Sequence, residues 1–178
     1  MELEILQYIQ NIHNVILDHI MVGATYSGSL GAIWILLAIF FILTKKYRLC
    51  GITMIISLIM CFLVGNVLLK NIIARSRPCW IDSSVALLIK NPTDYSFPSG
   101  HTLASFASAM TIFLYHKKEG IIALIWASLI GFSRLYLFVH YPTDVLGSIL
   151  LGIAISIIVT LMVKKQINIK LNKVCKIS

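Results

Sequence analysis

The sequence predicts an all-α fold, an integral membrane helical bundle of about five transmembrane helices preceded by an amphipathic N-terminal helix. Of the 178 residues, 58% are hydrophobic and 12% are charged, whereas charged residues make up about a quarter of a typical soluble domain. The apolar residues are concentrated in long runs, and runs of this length cross a bilayer as helices. The length fits a single domain, residues 1–178.

The formal net charge of +8 comes from 15 Lys and Arg against 7 Asp and Glu. In a soluble protein this surplus would suggest a nucleic-acid partner, but in a membrane protein basic residues collect in the cytoplasmic loops. We therefore expect a bilayer around this chain and no nucleic acid bound to it. The four cysteines are scattered, and no pair has the spacing of a metal site. Cys50 and Cys61 fall in an apolar segment, where cysteine acts as a small hydrophobic residue, and we expect no disulfide.

The N-terminal residues 3–20 carry apolar side chains at spacings of three and four, opposite a face of Glu, Gln, Asn and Asp. This pattern predicts an amphipathic helix. The segment is too polar to span a membrane comfortably. It could lie flat at the membrane interface or pack against the bundle, and the sequence leaves both arrangements open.

Five apolar segments make up the predicted transmembrane bundle, residues 27–163. A long polar connection, residues 70–96, separates the second segment from the third, and a tight basic loop, residues 116–120, separates the third from the fourth. Residues 164–178 form a basic tail. The segments cover approximately residues 27–44, 49–69, 97–115, 121–139 and 142–163.

The distribution of basic residues predicts the orientation of the bundle. The loop at 45–48, the loop at 116–120 and the tail hold ten Lys and Arg, and the loops on the other side hold five. Because basic loops stay in the cytoplasm, the side with ten should be cytoplasmic. The long polar connection and the stretches at 98–101 and 140–144 would then face the extracytoplasmic side of the cell membrane.

The first polar stretch that could contribute to a functional site contains Lys70, Arg75 and Arg77, followed by Pro78. Lys70 and Arg77 are about two helical turns apart, so their side chains could point the same way. Arginine offers a rigid fork to phosphate, and lysine offers a mobile charge. Alternatively, these cations form a solvated flank or anchor lipid headgroups.

The second stretch is Pro98-Ser99-Gly100-His101, at the start of the third apolar segment. Ser96 could cap the helix, and a proline suits its first turn. Ser99 and Gly100 would then present backbone N–H groups to an anion, since a helix N-terminus is an anion site. His101 would lie at the rim of that site, although a lone interfacial histidine is often a bystander.

The third stretch contains Arg134, His140 and Asp144, between the fourth and fifth apolar segments. Charged groups at membrane depth are functional candidates because their burial is costly. If the turn brings Asp144 against His140, the carboxylate can hold one ring nitrogen and leave the other free to attack. Alternatively, Arg134 and Asp144 form a structural ion pair and His140 fills a gap.

All three stretches fall on the same predicted side of the membrane, which favours a common site. Cations, two histidines and a helix N-terminus together suit phosphoryl transfer. A metal mechanism would require clustered carboxylates, and only Asp144, with Asp82 and Asp94 in the long connection, is available there. We therefore expect no metal and no cofactor.

The three stretches resemble the signature of the type 2 phosphatidic acid phosphatase superfamily, which includes bacterial membrane lipid phosphatases and the soluble vanadium haloperoxidases. The match keeps the order of the three parts, and it is highly specific. One difference is that many relatives have six full spans, whereas five are predicted here. The matching residues are Lys70 with Arg77-Pro78, then Pro98-Ser99-Gly100-His101, then Ser133-Arg134 with His140 and Asp144.

The resemblance implies a role for each matching residue. His140 would attack phosphorus and form a phosphohistidine, Asp144 would orient it, and His101 would protonate the leaving oxygen. Arg75 is a further candidate for contact with the phosphate. The residues implied to bind the phosphoryl oxygens are Lys70, Arg77, Ser99, Gly100 and Arg134.

The resemblance also implies a phosphorylated or diphosphorylated lipid as substrate. The chain looks most like small bacterial members that convert undecaprenyl diphosphate to undecaprenyl phosphate and phosphate. Phosphatidylglycerophosphate, phosphatidate and diacylglycerol pyrophosphate are the alternatives, since such relatives share the three motifs. A haloperoxidase that holds vanadate with the same cations and a non-catalytic membrane protein are the more remote alternatives.

Overall fold

A computed structural model describes residues 1–174 of the protein, with side chains described as far as residue 169, and its secondary structure is helical. A short 3-10 turn, Ser29–Gly31, joins the second and third helices, and a π-helical segment, Phe62–Leu69, joins the fourth and fifth. The α-helices are α1 (Glu2–Gln10), α2 (Val15–Ser27), α3 (Ala32–Leu43), α4 (Arg48–Cys61), α5 (Lys70–Ile73), α6 (Pro78–Ile81), α7 (Gly100–Tyr115), α8 (Lys117–Tyr136) and α9 (Pro142–Val174).

The prediction of one helix over residues 3–20 is wrong, because the chain breaks between α1 and α2. Asn14 causes the second helix to start anew, since its side chain accepts a hydrogen bond from the Leu17 N–H at 2.9 Å and so caps α2. Leu6 on α1 is fully buried in a cluster that includes Tyr136 and Val139. Helix α1 therefore packs against the end of α8, which selects the second of the two arrangements that the sequence left open.

The first predicted span, residues 27–44, is in fact the second half of a bent pair of helices. Helices α2 and α3 together are long and apolar enough to cross a membrane, with a bend of 48° between them. Leu30 (φ 53°) and Gly31 (φ 69°) form the bend in the left-handed region, which suits glycine because it has no Cβ. The bend places Ser29 beside His101, and the two side chains come within 3.4 Å.

The second predicted span ends four residues later than expected. From Arg48 the chain remains helical through α4, the π-helical segment and α5 to Ile73, and it stops at Ala74, which has a left-handed backbone (φ 46°). A π-helical segment is rare and often accompanies a functional site. Here it positions Asn66 and Lys70, one turn apart, along the same cavity.

Helix α7 lies in the middle of the bundle and packs against α4, α8 and α9. Its sequence is rich in small residues, and Ala107, Ala109 and Ser108 are completely buried, which allows neighbouring helices to approach closely. Buried polar groups pair across helices: Trp34 Nε1 donates to Ser105 Oγ at 2.9 Å. The all-α membrane bundle predicted from the sequence is confirmed.

Not every predicted span is equally long in the structure. Within the described part of the chain, three helical segments are long and apolar enough to cross a membrane by themselves, and the bent pair α2–α3 makes up to four. Helix α7, the third predicted span, has 16 residues, which is shorter than a typical spanning helix.

The predicted loop at residues 116–120 is wrong, because α8 already starts at Lys117 and only His116 separates it from α7. Gly120 permits this tight turn, since a Cβ at that position would lie 2.2 Å from Phe113 Cα. The predicted tail starting at 164 is likewise helical as far as Val174, as a continuation of α9. Residues 175–178 lie outside the described range.

Candidate active site

The three motif stretches meet around one cavity of about 840 Å³. The wall near the polar loops holds the charged residues, and the wall deeper in the bundle is apolar, with Leu58, Ile59 and Phe62 from α4 and the π-helical segment. An anionic headgroup and part of a hydrocarbon chain could therefore share this space. The motif residues that line it are Lys70, Arg77, Gly100, His101, Arg134 and His140.

Three cations of this cavity are almost completely buried. Lys70 is 8% exposed, Arg77 2% and Arg134 4%. Buried cations at membrane depth are costly unless anionic or polar partners surround them. Arg134 donates from Nη1 to Thr25 Oγ1, but its buried Nε has no hydrogen-bond partner among the residues that the structure describes. An unused buried N–H donor is unusual, and an anion in the cavity would supply the missing acceptor.

Arg77 lies in extended backbone directly before α6, where Pro78 occupies the first helical position. Its guanidinium contacts several groups at once. Nε donates to the Asp94 carbonyl oxygen at 2.7 Å, Nη2 donates to Asp94 Oδ1 at 2.8 Å, and Nη1 donates to the Val139 carbonyl oxygen at 2.7 Å. These contacts hold Arg77 rigidly next to the histidine of the third motif.

The hydrogen bonds of His140 define its tautomer. Arg77 Nη1 lies 3.1 Å from His140 Nε2, and since an arginine can only donate, Nε2 is the unprotonated nitrogen. Burial lowers the pKa of His140 to about 3, an effect that Asp144 opposes and the charge of Arg77 reinforces. The ring is therefore neutral with its lone pair on Nε2, which is the form that a nucleophile requires.

The other ring nitrogen of His140, Nδ1, lies near Asp144, and the hydroxyl group of Ser96 lies between them. Asp144 Oδ2 is 3.7 Å from His140 Nδ1, which is longer than a hydrogen bond. Ser96 lies between them: its Oγ donates to Asp144 Oδ2 at 2.5 Å and is 3.4 Å from Nδ1. Ser96 thus bridges the Asp144 carboxylate and the His140 ring. The prediction that Ser96 caps α7 is wrong, because the cap position is Ser99.

Asp144 is itself held in place by a cation outside the cavity. Arg75 Nη1 donates to Asp144 Oδ1 at 2.6 Å, and Arg75 Nη2 donates to Glu2 Oε2 at 2.6 Å. The guanidinium also stacks on the ring of Tyr141, 4.0 Å from its centroid. Arg75 does not line the cavity, so the structure places this further candidate against Asp144 and outside the cavity.

The second motif contributes unevenly to the cavity. Gly100 and His101 line it, but Ser99 is fully buried behind them. The Ser99 N–H donates to Ser148 Oγ at 2.8 Å, and the Ser99 hydroxyl accepts a hydrogen bond from Thr102. In this structure Ser99 therefore stabilises the start of α7. The expected contact between Ser99 and a phosphate stays a prediction.

Three residues of the site are not predicted as site members from the sequence. From the sequence alone, Asp94 is a carboxylate of the long connection and Ser96 is a candidate helix cap. Asn66 lines the cavity beside Gly100, and its buried Oδ1 has no partner within the described residues. Asn66 is a single amide side chain inside the apolar run 62–69. An isolated polar residue in such a run indicates a functional position, but the mean hydropathy of the run does not reveal it.

Taken together, the fold and the site define a multi-pass helical membrane protein with a buried cationic cavity and two histidines. Residues 47–168 match the PAP2 superfamily, and the chain belongs to that family. The resemblance found in the three motifs is thereby confirmed.

Individual relatives extend this similarity. The chain is 38% identical over 125 residues to the undecaprenyl-diphosphatase of Sulfolobus acidocaldarius. This alignment covers 70% of this chain and 60% of that protein. It is 36% identical over 147 residues to undecaprenyl-diphosphatase BcrC of Bacillus subtilis, covering 80% of this chain and 73% of that protein. The chain thus spans only part of the length of these relatives.

A solved structure with the same fold is the transmembrane PAP2 type phosphatidylglycerolphosphate phosphatase of Bacillus subtilis. The two structures superpose with a TM-score of 0.75 at 28% sequence identity, over 92% of this chain and 85% of the other. The similarity therefore includes nearly all of the helical bundle.

Proposed function

We propose that this protein is a membrane lipid phosphatase that hydrolyses a phosphate or diphosphate ester through a phosphohistidine, with undecaprenyl diphosphate as its substrate. The observation that carries the proposal is the meeting of three buried cations and two histidines around a cavity that continues into apolar surroundings. A phosphorylated lipid has the matching combination of a charged headgroup and a hydrocarbon chain.

In the first chemical step, His140 Nε2 attacks phosphorus. An N–P bond forms, the bond between phosphorus and the leaving oxygen breaks, and His101 supplies a proton to that oxygen. The positive charge that develops on the His140 ring is stabilised by Asp144, directly and through Ser96, which lies 3.4 Å from Nδ1. Lys70, Arg77 and Arg134 stabilise the negative charge on the phosphoryl oxygens.

In the second step, a water molecule attacks the phosphohistidine. The new P–O bond forms as the N–P bond breaks, which releases inorganic phosphate and returns His140 to its neutral form. His101, now deprotonated, takes the proton from the attacking water, as microscopic reversibility requires. Each residue therefore returns to the state in which it began.

The route that we propose uses no metal. Both carboxylates next to the histidine and the cations are already balanced by positive side chains, Asp144 by Arg75 and Asp94 by Lys70 and Arg77. Protein cations thus supply the charge that a metal would otherwise contribute to the phosphoryl group. We expect activity to survive an excess of chelator.

An isoprenoid diphosphate is the favoured substrate because two relatives at 36–38% identity carry the name undecaprenyl-diphosphatase. The second candidate is phosphatidylglycerophosphate, which is supported by the structural similarity to the phosphatase from Bacillus subtilis. Both lipids have a terminal phosphate group that the cavity could hold in the same way. The charge distribution in the loops predicts that the cavity opens to the extracytoplasmic side.

The experiment that tests the proposal is a phosphate-release assay of the purified protein in detergent, with chelator present. Undecaprenyl diphosphate, phosphatidylglycerophosphate and phosphatidate are compared for the wild type, for His140→Ala and for the control His116→Ala at the opposite end of the bundle. We expect preferential hydrolysis of the isoprenoid diphosphate, complete loss in His140→Ala, and retention in His116→Ala.

Each other outcome has a definite meaning. Preference for a glycerophospholipid would move the protein to phospholipid metabolism while leaving the mechanism intact. Activity that depends on an added divalent ion would contradict the metal-free route. No phosphate release from any lipid would favour a non-catalytic membrane protein, and bromination after addition of vanadate would favour a haloperoxidase.

A further inference from the structure

The long loop between α6 and α7, residues 82–99, places a carboxylate directly on two of the phosphate-binding candidates. The Asp94 carboxylate pairs with Lys70 Nζ through Oδ2 and accepts from Arg77 Nη2 at 2.8 Å through Oδ1. The loop is fixed at this point, because the Ser96 N–H donates to the Arg75 carbonyl oxygen at 2.8 Å. Asp94 lies in the cavity wall, with its side chain 53% exposed.

Asp94 remains charged under all ordinary conditions. Burial alone would raise the pKa of its carboxyl group, but the hydrogen bond from Lys70 and the charge of Arg77 outweigh this effect and lower the pKa to about 2. An internal anion is therefore bound to Lys70 and Arg77 before any substrate arrives.

Among the described residues, every N–H group of Arg77 already has a partner in this state. Nε donates to the Asp94 carbonyl oxygen, and Nη2 donates to the Asp94 carboxylate and, at 3.4 Å, to the Tyr95 carbonyl oxygen. Nη1 is shared between the Val139 carbonyl oxygen and His140 Nε2. A phosphate can bind Arg77 only by replacing one of these partners. The Asp94 carboxylate is the most exposed of them, and it is also the partner whose charge resembles that of a phosphate.

We propose that Asp94 is a specificity-determining residue: its carboxylate occupies the phosphate position of the empty site, and a substrate binds by displacing it. This inference rests on the proposed phosphatase function. Asp94 carries one negative charge and is tethered beside the cations, so it competes at a high local concentration. A singly charged phosphodiester lipid cannot displace it readily, whereas a terminal phosphate with two charges can.

The physiological benefit follows from the surroundings of the site. A membrane is filled with phosphodiester headgroups, each of which could occupy an open cationic cavity and block it. With Asp94 in place, a phosphodiester headgroup could bind Lys70 and Arg77 only by replacing the Asp94 carboxylate, which carries the same single negative charge. A competing anion built into the protein therefore discriminates against the abundant lipids by opposing their binding.

The test compares Asp94→Asn with the wild type and with Asp82→Asn. Asn is isosteric with Asp but uncharged. Asp82 lies on the same loop, and its side chain accepts hydrogen bonds from Gln7 and Ser84. Orthovanadate binding is measured by the shift in thermal unfolding temperature, and KM, kcat and inhibition by phosphatidylglycerol are measured in mixed micelles.

For Asp94→Asn we expect vanadate to bind about tenfold more tightly, the factor that corresponds to about 1.4 kcal/mol. We also expect KM to fall and inhibition by phosphatidylglycerol, a singly charged phosphodiester, to strengthen. Asp82→Asn should match the wild type in all of these measurements, and Asp94→Glu, which restores the charge, should reverse the tighter binding.

Weaker vanadate binding and a raised KM in Asp94→Asn would overturn the proposal, because Asp94 would then serve to hold Lys70 and Arg77 in position for the substrate. Unchanged values would overturn it as well. The vanadate measurement requires no turnover, so a wild type without lipid phosphatase activity would refute the proposed function and still leave the role of Asp94 to be decided by binding.

Discussion

At one end of the bundle, Lys70, Arg77 and Arg134 are less than 10% exposed and surround a cavity, whereas at the other end basic residues such as Lys118 and Lys164 are exposed. The exposed end is held together by ordinary contacts, among them a hydrogen bond of 3.0 Å from Tyr47 to Glu119. Positive charge is thus common to both ends, and only its burial beside anions and histidines distinguishes a site from a solvated flank.

This difference leads to a prediction for matched arginines at the two ends. Arg134→Gln should lower kcat/KM by about 10²–10³-fold, because in the proposed mechanism it removes a buried donor to the phosphoryl group. Arg48→Gln, at the exposed end, should change it by no more than about twofold. The measurement is phosphate release from the preferred lipid. Equal losses in the two variants would mean that the burial of Arg134 has no functional significance.

The second comparison is between two serines of the same loop. Ser96→Ala removes the hydroxyl between Asp144 and His140, and we expect kcat to fall about 10-fold to 100-fold, since a hydrogen bond to a charged group contributes about 1.5–3 kcal/mol. KM should change little, because the charge on His140 develops only in the transition state. Ser84→Ala, whose hydroxyl donates to Asp82, is the control.

An effect of Ser96→Ala on KM alone would contradict a role of Ser96 between Asp144 and His140, since it would place Ser96 in substrate binding. A decrease in both variants to the same extent would point to a general disturbance of the loop. The direct path from Asp144 Oδ2 to His140 Nδ1, 3.7 Å long, is the reason that we expect residual activity.

The meeting of the three motif stretches could be predicted from the sequence because long apolar runs reveal helices, and the order of the helices brings their ends together. The motif residues lie at or near these ends, so their proximity follows from topology. The bend at Leu30 and Gly31 could not be predicted, because it depends on left-handed backbone angles, and the small residues within 27–31 fit a continuous helix as well as a break. The break near Asn14 was similarly hidden by a continuous helical pattern of apolar residues.

The contacts of the long loop were the least accessible to prediction. Residues 82–99 contain little regular structure, so no periodicity indicates which side chains turn inward. Asp94 and Ser96 reach the site through the fixed positions of Arg75 and Arg77, to which the loop is hydrogen-bonded. Long-range contacts of this kind depend on tertiary packing, which a local sequence pattern does not describe.

The smallest effect that we predict concerns the pH dependence of stability. Burial lowers the pKa of His140 to about 3 in the folded protein, from an ordinary value of 6.5. Below pH 6.5 the unfolded chain therefore binds a proton that the folded protein does not, and acid favours unfolding. The stabilisation is fully present above pH 6.5 and is lost as the pH falls towards 3, by about 2 kcal/mol between pH 6.5 and 5.

Thermal unfolding in detergent between pH 7.5 and 5 measures this loss. The unfolding temperature of His140→Gln should fall less steeply with acidification than that of the wild type, because glutamine binds no proton in either state. His19→Gln removes an exposed histidine of α2 and should retain the wild-type slope. A wild-type slope in His140→Gln would mean that folding does not lower the pKa of His140. The ring would then gain a proton below pH 6.5 in the folded protein as well, and a protonated ring has no free lone pair with which to attack phosphorus.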